Sequence, residues 1–473
     1  MEFEIMSLKL DASNTSLFID EHSKSDNTPL LLSKNENSIQ ALKHMTQEFF
    51  ERVFSPSGPY WTIYSDLGFA SIPTKSTYVI FVNGQMYFVK NIENRYLNNV
   101  GPEKSFEILN NMFIIKRKPN FQNLLLSLSA PFDAIHQVKR KIELGFMANE
   151  YIKKFEDFKE QTLSYQNQHS LNNKTNMKDL IKTANECLDL AVESLIYSNM
   201  ASLSYNLKIK LRKSDSISDC ESEKINHLVK QGDFKTIQKS FGFYSLWPYD
   251  ISKPRFREDT KDIQKYGFPE SPRNYALKWR ENAKYLCARY LDIQRLALQQ
   301  FGKQTGLGEY VFFLTTRELE RSKYLTRISK QRKAIFDKYT DLPAKLVYFK
   351  GKYYEPKDSA VESTTFQAMN VASKKTVSGP VVNINSLSDY EKCKDGSIIV
   401  SKTLSPNISI LFKNAIGVIA ENGGVLSHSA VIAREQDIPC LIQADFISQL
   451  HDGEVIEING KTGRVRKLEK NNQ

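Results

Sequence analysis

No run of about 18 apolar residues occurs in this sequence, so no transmembrane helix is expected. The first residues, MEFEIMSLKLDASNTS, lack a basic segment followed by an apolar one, which argues against a secretory signal peptide. Cysteine is scarce: Cys187, Cys220, Cys287, Cys393 and Cys440 stand far apart, with no C-x-x-C pair among them. An odd, scattered set argues against a disulfide framework or a structural zinc site and fits a reducing cytoplasmic setting. No P-loop of the form G-x-x-x-x-G-K-[ST] is present. The stretch from Gly302 to Gly308 is only superficially similar, since no strand precedes it, and it reads as a loop ending a helix. Nucleic-acid-binding motifs are also lacking, although the net charge is +11. The densest basic stretches, 139–141 and 321–333, fall inside helical patterns and read as solvated helix faces. A basic surface also suits phosphorylated ligands or an acidic partner.

What is present is a chain of 473 residues, too long for one core, so two or three domains are expected. Residues 1–37 are polar and weakly patterned and read as an N-terminal extension. Between residues 38 and 356 helical periodicity dominates, for example in LIKTANECLDLAVESLIYSNM, and long helices are expected near 273–302 and 316–339. A small sheet accompanies them: STYVIFVNGQMYFV reads as a hairpin turning at Asn83-Gly84, and KLVYFK and KYYE read as strands. Residues 357–376 are small, polar and aperiodic and read as a hinge linker, spanning at most roughly 70 Å if extended. Residues 377–470 alternate short apolar strands (PVVNI, SIIVS, IGVIA, CLI, EVIEIN) with helical segments such as SHSAVIARE. The expected fold class is a multidomain α+β protein, with a largely helical N-terminal and central region followed by a small C-terminal β/β/α domain.

The stretch from Ile416 to Ile442, IGVIAENGGVLSHSAVIAREQDIPCLI, carries the chemistry. It reads as a strand, a Gly-Gly loop and a short helix. Gly423 and Gly424 permit close backbone approach, and Ser427 suits an N-cap. His428 then falls in the first helical turn, where unpaired N–H groups and the positive end of the dipole favour an anion. An imidazole there offers a nitrogen lone pair as a nucleophile, and the loop amides with Ser427 or Ser429 offer donors to a phosphoryl group once attached.

The pattern Gly-Gly, two residues, Ser-His, one residue, Ala, two aliphatics, Ala-Arg-Glu and then Ile-Pro resembles the phosphohistidine signature of the PEP-utilising enzymes. That family includes pyruvate phosphate dikinase, phosphoenolpyruvate synthase and rifampicin phosphotransferase. The likeness extends over about 376–470, through Ser378-Gly379-Pro380-Val381, Asp395-Gly396-Ser397-Ile398-Ile399-Val400 and the closing hairpin from Asp452-Gly453 to Val465. One departure is Gln443, where the family usually has Gly. Upstream, Tyr249-Asp250-Ile251 and Pro254-Arg255-Phe256 are similar to a segment of the helical phosphotransferase subunits, closest to the glutamine-kinase group. The family's His after Gly242 is Phe243 here.

The resemblance implies that His428 is the catalytic residue, on a swivelling domain, with Gly423, Gly424, Ser427, Ser429 and Arg434 stabilising the phosphate. It implies substrate contacts from Tyr249, Asp250 and Arg255, although Phe241, Phe243, Trp247 and Tyr249 equally suit an aromatic plug between helices. Neither an ATP-grasp domain nor a PEP-binding barrel is legible in the chain. A separate ATP-grasp protein is therefore expected to hold ATP and Mg²⁺, none bound tightly here, and to load His428 by way of pyrophosphoryl transfer. His428 would then serve a small-molecule acceptor in the helical domain, in the cytoplasm, without nucleic acid or membrane. A regulatory or scaffold relative, or a pyruvate-using dikinase-like component, stays open at this point.

Overall fold

The computed structural model describes residues 30–34, 41–66, 79–89, 130–168, 175–354 and 364–468, apart from positions 56, 207, 322–323, 339–341, 344, 350–351 and 425–426. Strand period organises the first sheet. In the hairpin of β2 (Val79–Val82) and β3 (Gln85–Val89), Val79, Phe81, Met86 and Phe88 face a large helical core. The alternate residues Ile80, Val82, Tyr87 and Val89 face the other way, onto Leu32, Leu342, Leu346 and Tyr353. Both faces are thus covered, which explains the unbroken apolar run. The turn needs left-handed backbone, and Asn83 and Gly84 supply it at φ 48° and 84°.

The N-terminal extension read over 1–37 needs correction where it is described. Leu30–Ser33 form β1, which pairs antiparallel with both β3 and β4 (Lys345–Phe349), with β5 (Lys352–Tyr354) at the far edge. Leu32 is buried between the two neighbours, so this apolar segment belongs to the domain rather than to a tail.

The helical core is built by α1 (His44–Val53), α2 (Pro59–Asp66), α3 (Ala130–Gln168), α4 (Met177–Asn206) and α5 (Tyr275–Thr305). Helix α5 packs along α4 through residues such as Trp279, Ala283, Leu291 and Leu298. It starts at the N-cap Asn274, whose side chain accepts from the amides of Ala276 and Leu277, and it ends at Gly306, as the glycine-rich loop suggested. The segment expected as one helix over 316–339 is two, Thr316–Arg321 and Leu325–Lys338.

The C-terminal domain is an eight-stranded mixed sheet in the order β6-β13-β12-β8-β9-β10-β11-β7. Strands β8 (Thr376–Asn383), β9 (Ser397–Thr403), β10 (Ala415–Asn422) and β11 (Cys440–Ile442) run parallel, and β12 (Val455–Asn459) and β13 (Arg464–Lys467) pair antiparallel. Helix α6 (His428–Glu435) follows β10 and lays Ala430, Ile432 and Ala433 against Val418, Ala420 and Ile442. The linker read over 357–376 is shorter than expected. Thr365–Gln367 form β6 on β13, Met369–Asn370 form β7 on β11, and residues 357–363 lie outside the described residues. Phe366, stacked on Phe446, supplies the apolar anchor that the polar composition concealed. Gln443 adopts φ 59°, the left-handed region that favours the glycine usual in the family.

Candidate active site

Local sequence sets the position of His428. Ser427 caps α6 by accepting from the Ala430 amide at 3.1 Å, and this fixes His428 as the first helical residue. Gly423 lies against Leu404 and Ile442 so closely that a Cβ would stand 2.9 Å from the Leu404 Cβ, so the loop needs glycine there for packing. The Gly424 carbonyl accepts from the Ser427 amide at 3.0 Å.

The side chain of His428 is not exposed, as its position in a first helical turn suggested; it is 8% accessible, enclosed between the two domains. Its Nδ1 lies 3.7 Å from Oε1 of Glu281 on α5. Its Nε2 is buried and has no hydrogen-bond partner among the described residues. Burial pushes the Glu281 carboxyl up, but Lys284, His428 and Arg280 outweigh burial and hold it well below the usual carboxylate range. Lys284 Nζ donates to Glu281 at 2.9 Å and Arg280 stands at 3.3 Å. Glu281 is therefore an ionised, buried carboxylate that faces Nδ1 of the imidazole, on the side away from the unpaired Nε2.

His428 lines a cavity of about 130 Å³ between the domains. Space of that order admits a molecule the size of benzene. Its walls come from Phe50 on α1, the loop from Tyr244 to Asp250, Phe268 and Pro269, Glu281, Lys284 and Tyr285 on α5, and Pro406 and Asn407 of the C-terminal domain. Most of this wall is aromatic or apolar. The polar groups are few, the pattern expected of a small-molecule site. Asp250 is among them. Its Oδ1 accepts from Ser252 N at 3.0 Å, Ser252 Oγ at 2.7 Å and Thr46 Oγ1 at 3.3 Å, leaving the second oxygen outside that cluster. Tyr249 stacks on Phe49 at 5.8 Å, and burial raises its phenol well above the ordinary value, so it stays protonated. Asn407 is 2% accessible and its Nδ2 has no partner among the described residues. Two unpaired buried nitrogens, His428 Nε2 and Asn407 Nδ2, thus belong to residues lining one cavity. Among the described residues no three His, Cys, Asp or Glu side chains converge as metal ligands.

The structure brings His428, Tyr249 and Asp250 to one cavity; Gly423, Gly424 and Ser427 lead into His428 without lining it, and Ser429, Arg434 and Arg255 are turned elsewhere. Ser429 is fully buried and donates to the Ser405 carbonyl, so its hydroxyl is committed away from any phosphate. Arg434 lies on the last turn of α6, where Nε donates to the Ala430 carbonyl and Nη1 to Tyr205 Oη at 3.3 Å. Arg255 does not reach the cavity wall. It is wholly buried behind it, donating to Ser245 Oγ at 3.0 Å and the Pro248 carbonyl at 3.2 Å, and so shapes the loop that carries Tyr249 and Asp250. Phe243 packs with Tyr244 and Phe256 in a satellite core, as a plug would. The sequence reading missed Glu281, Lys284 and Asn407. No local signal marked them: α5 is buried around nearly its whole circumference over 276–302, and that is set by packing, not by sequence period.

Residues 393–463 match the family model described as PEP-utilising enzyme, mobile domain. With its histidine helix, Gly-Gly loop and mixed sheet, the C-terminal domain is similar to the mobile domain of the PEP-utilising enzymes. Similar proteins include the uncharacterized phosphotransferase YvkC of Bacillus subtilis (strain 168), 34% identical over 95 residues, covering 20% of this chain and 11% of that protein. A probable phosphoenolpyruvate synthase of Methanothermobacter thermautotrophicus is 33% identical over 95 residues, covering 20% and 14%. The phosphoenolpyruvate synthase of Pseudomonas aeruginosa is 26% identical over 197 residues, covering 35% and 25%. The chain spans no more than a quarter of the length of any of these three relatives.

Proposed function

We propose that this chain is a phosphotransferase component that carries a phosphoryl group on His428 Nε2 and delivers it to a small acceptor in the cavity between its two domains. One observation carries the reading: a buried imidazole whose Nε2 is unpaired, lining a cavity, while an ionised carboxylate faces its Nδ1. The geometry suits phosphoryl transfer, in which positioning and electrostatics do most of the work. In the loading step, the Nε2 lone pair forms the N–P bond as the bond from phosphorus to the donor's leaving oxygen breaks. Glu281, facing Nδ1 at 3.7 Å, offsets the positive charge that the ring gains. In the delivery step, a nucleophilic atom of the acceptor attacks phosphorus, the N–P bond breaks and Nε2 recovers its lone pair. In this reading Asp250 takes the proton the acceptor gives up, and Asn407 and Lys284, which line the same cavity, stabilise the transferred oxygens.

The same burial that makes the docked state suitable for delivery closes His428 to a large donor. Loading therefore requires the C-terminal domain to leave the helical domain. The donor in this reading is ATP held with Mg²⁺ by an ATP-grasp protein. The test is intact-mass analysis of the full chain with a candidate ATP-grasp partner, ATP and Mg²⁺. The expected result is one acid-labile phosphate, lost in His428→Ala and His428→Asn. Undiminished labelling of either variant would overturn the proposal.

A further inference from the structure

Helix α6 and helix α5 touch at two places. At one end His428 faces Glu281, at 3.7 Å. At the other, the Glu435 carboxylate accepts from the Arg273 amide at 2.9 and 3.1 Å and from the Asn274 amide at 3.3 Å. On α6 these points are seven residues, two turns, apart, so both lie on one face of that helix. On the helical domain they run in the opposite direction along the chain, from Glu281 on α5 back to its extended N-cap Asn274 and to Arg273 just before it. Helix α6 is therefore held at both of its ends, by α5 at one and by the segment that enters α5 at the other. The Asn274 side chain already satisfies the Ala276 and Leu277 amides, so Glu435 takes the donors just ahead of them, at the positive end of the α5 dipole.

We propose that Glu435 is a positioning residue, which sets the register in which the histidine helix docks along α5 and so delivers His428 to Glu281 and the cavity. This rests on His428 being the transferring residue. The other contacts across this boundary run between side chains, including Arg434 Nη1 to Tyr205 Oη at 3.3 Å, and are suited to guiding rather than fixing it. Lys265 and Glu391 pair at 2.7 Å with side chains 56% and 66% exposed, and such pairs contribute little. Gln436 donates to Glu270 at 3.1 Å, and Tyr266 meets Tyr390 edge-on at 5.3 Å. Among the described residues, only Glu435 couples a full charge across this boundary to two backbone donors, which the entry into α5 holds in place. Because its partners are backbone amides, it sets position along α5, which a mobile side chain would not do. It is also local enough to release, as a domain that must leave and return requires.

The experiment measures how accessible His428 is in the full chain, using diethylpyrocarbonate as the probe and peptide mass spectrometry as the readout. The exposed His451 serves as internal standard. His428 in the wild type should react slowly relative to His451. Glu435→Ala should raise the His428 rate at least about tenfold, since three charge-assisted contacts are lost. Glu435→Gln keeps an oxygen acceptor and loses the charge, so its rate should fall between the two. Cys187 and Cys287 in the helical core and Cys440 in the C-terminal core are buried, and they should stay silent to a thiol reagent in every variant. If Glu435→Ala exposes those cysteines, the Gln variant decides the matter on the same scale. A His428 rate within about twofold of wild type, in a variant whose cysteines stay silent, overturns the proposal. The readout needs no phosphate. Faster carbethoxylation with no phosphate ever found on His428 would therefore sink the functional reading and keep the docking register.

Discussion

Replacing Glu281 tests whether the carboxylate organises the nucleophile or merely balances charge. It is 8% exposed on its side chain and sits among Arg280 at 3.3 Å, Lys284 at 2.9 Å and His428 at 3.7 Å. Removing one partner of a buried ionic cluster costs about 3–5 kcal/mol, so Glu281→Ala should be strongly destabilised. Glu281→Gln keeps the shape and an acceptor oxygen, and about 1–3 kcal/mol is expected. The sign with pH follows from the depressed folded carboxyl. Its stabilisation is complete above the unfolded value of roughly 4.3 and is lost as pH falls through the lower folded value. The gap between wild type and Glu281→Gln in urea midpoint should thus be widest near neutral pH and shrink below roughly pH 4. The chemical readout uses phosphoramidate, a small donor that needs no partner protein, with phosphorus NMR to show which ring nitrogen is modified. Wild type should carry phosphate on Nε2 alone. Glu281→Gln should react more slowly, by about a hundredfold if misplacement of the ring dominates, and should yield a mixture of Nδ1 and Nε2 adducts. A variant that keeps both the rate and the single site of attachment would refute the claim that Glu281 orients His428, whatever its stability.

Two further outcomes follow from other parts of the fold. Asp250→Asn should leave phosphate loading on His428 intact while slowing turnover in the presence of acceptor by about 10²-fold or more, because the amide cannot take a proton; chase kinetics of the labelled protein against candidate acceptors would show this, and equal chase rates would assign the Asp250 loop to packing alone. Gln443→Gly should raise the melting temperature of the chain, since φ 59° strains a residue with a side chain by about 1 kcal/mol; a lower melting temperature would mean that side-chain contacts of Gln443 outweigh the strain.

The sequence by itself determined the elements whose signal is local. The Gly-Gly loop, the Ser427 cap and the short helix beginning at His428 were legible because capping and close approach depend on neighbours within a few residues. The hairpin at Asn83-Gly84 and the long helices α3, α4 and α5 were legible because apolar period reports which face is covered. The limits of these segments were less so. Residues 365–370 read as linker and proved to be strand, because pairing is decided by distant partners in β13 and β11 rather than by composition. Leu30–Ser33 lay hidden in a polar extension for the same reason. The site divided along this line. Tyr249, Asp250 and His428, expected from the sequence, line one cavity, whereas Ser429, Arg434 and Arg255, also expected, point toward Ser405, Tyr205 and Ser245. Glu281, Lys284, Asn407 and the docking role of Glu435 came only from the tertiary structure. Each acts across a domain boundary, where the partner is set by how two separately folded surfaces meet, and no local rule of spacing encodes that meeting.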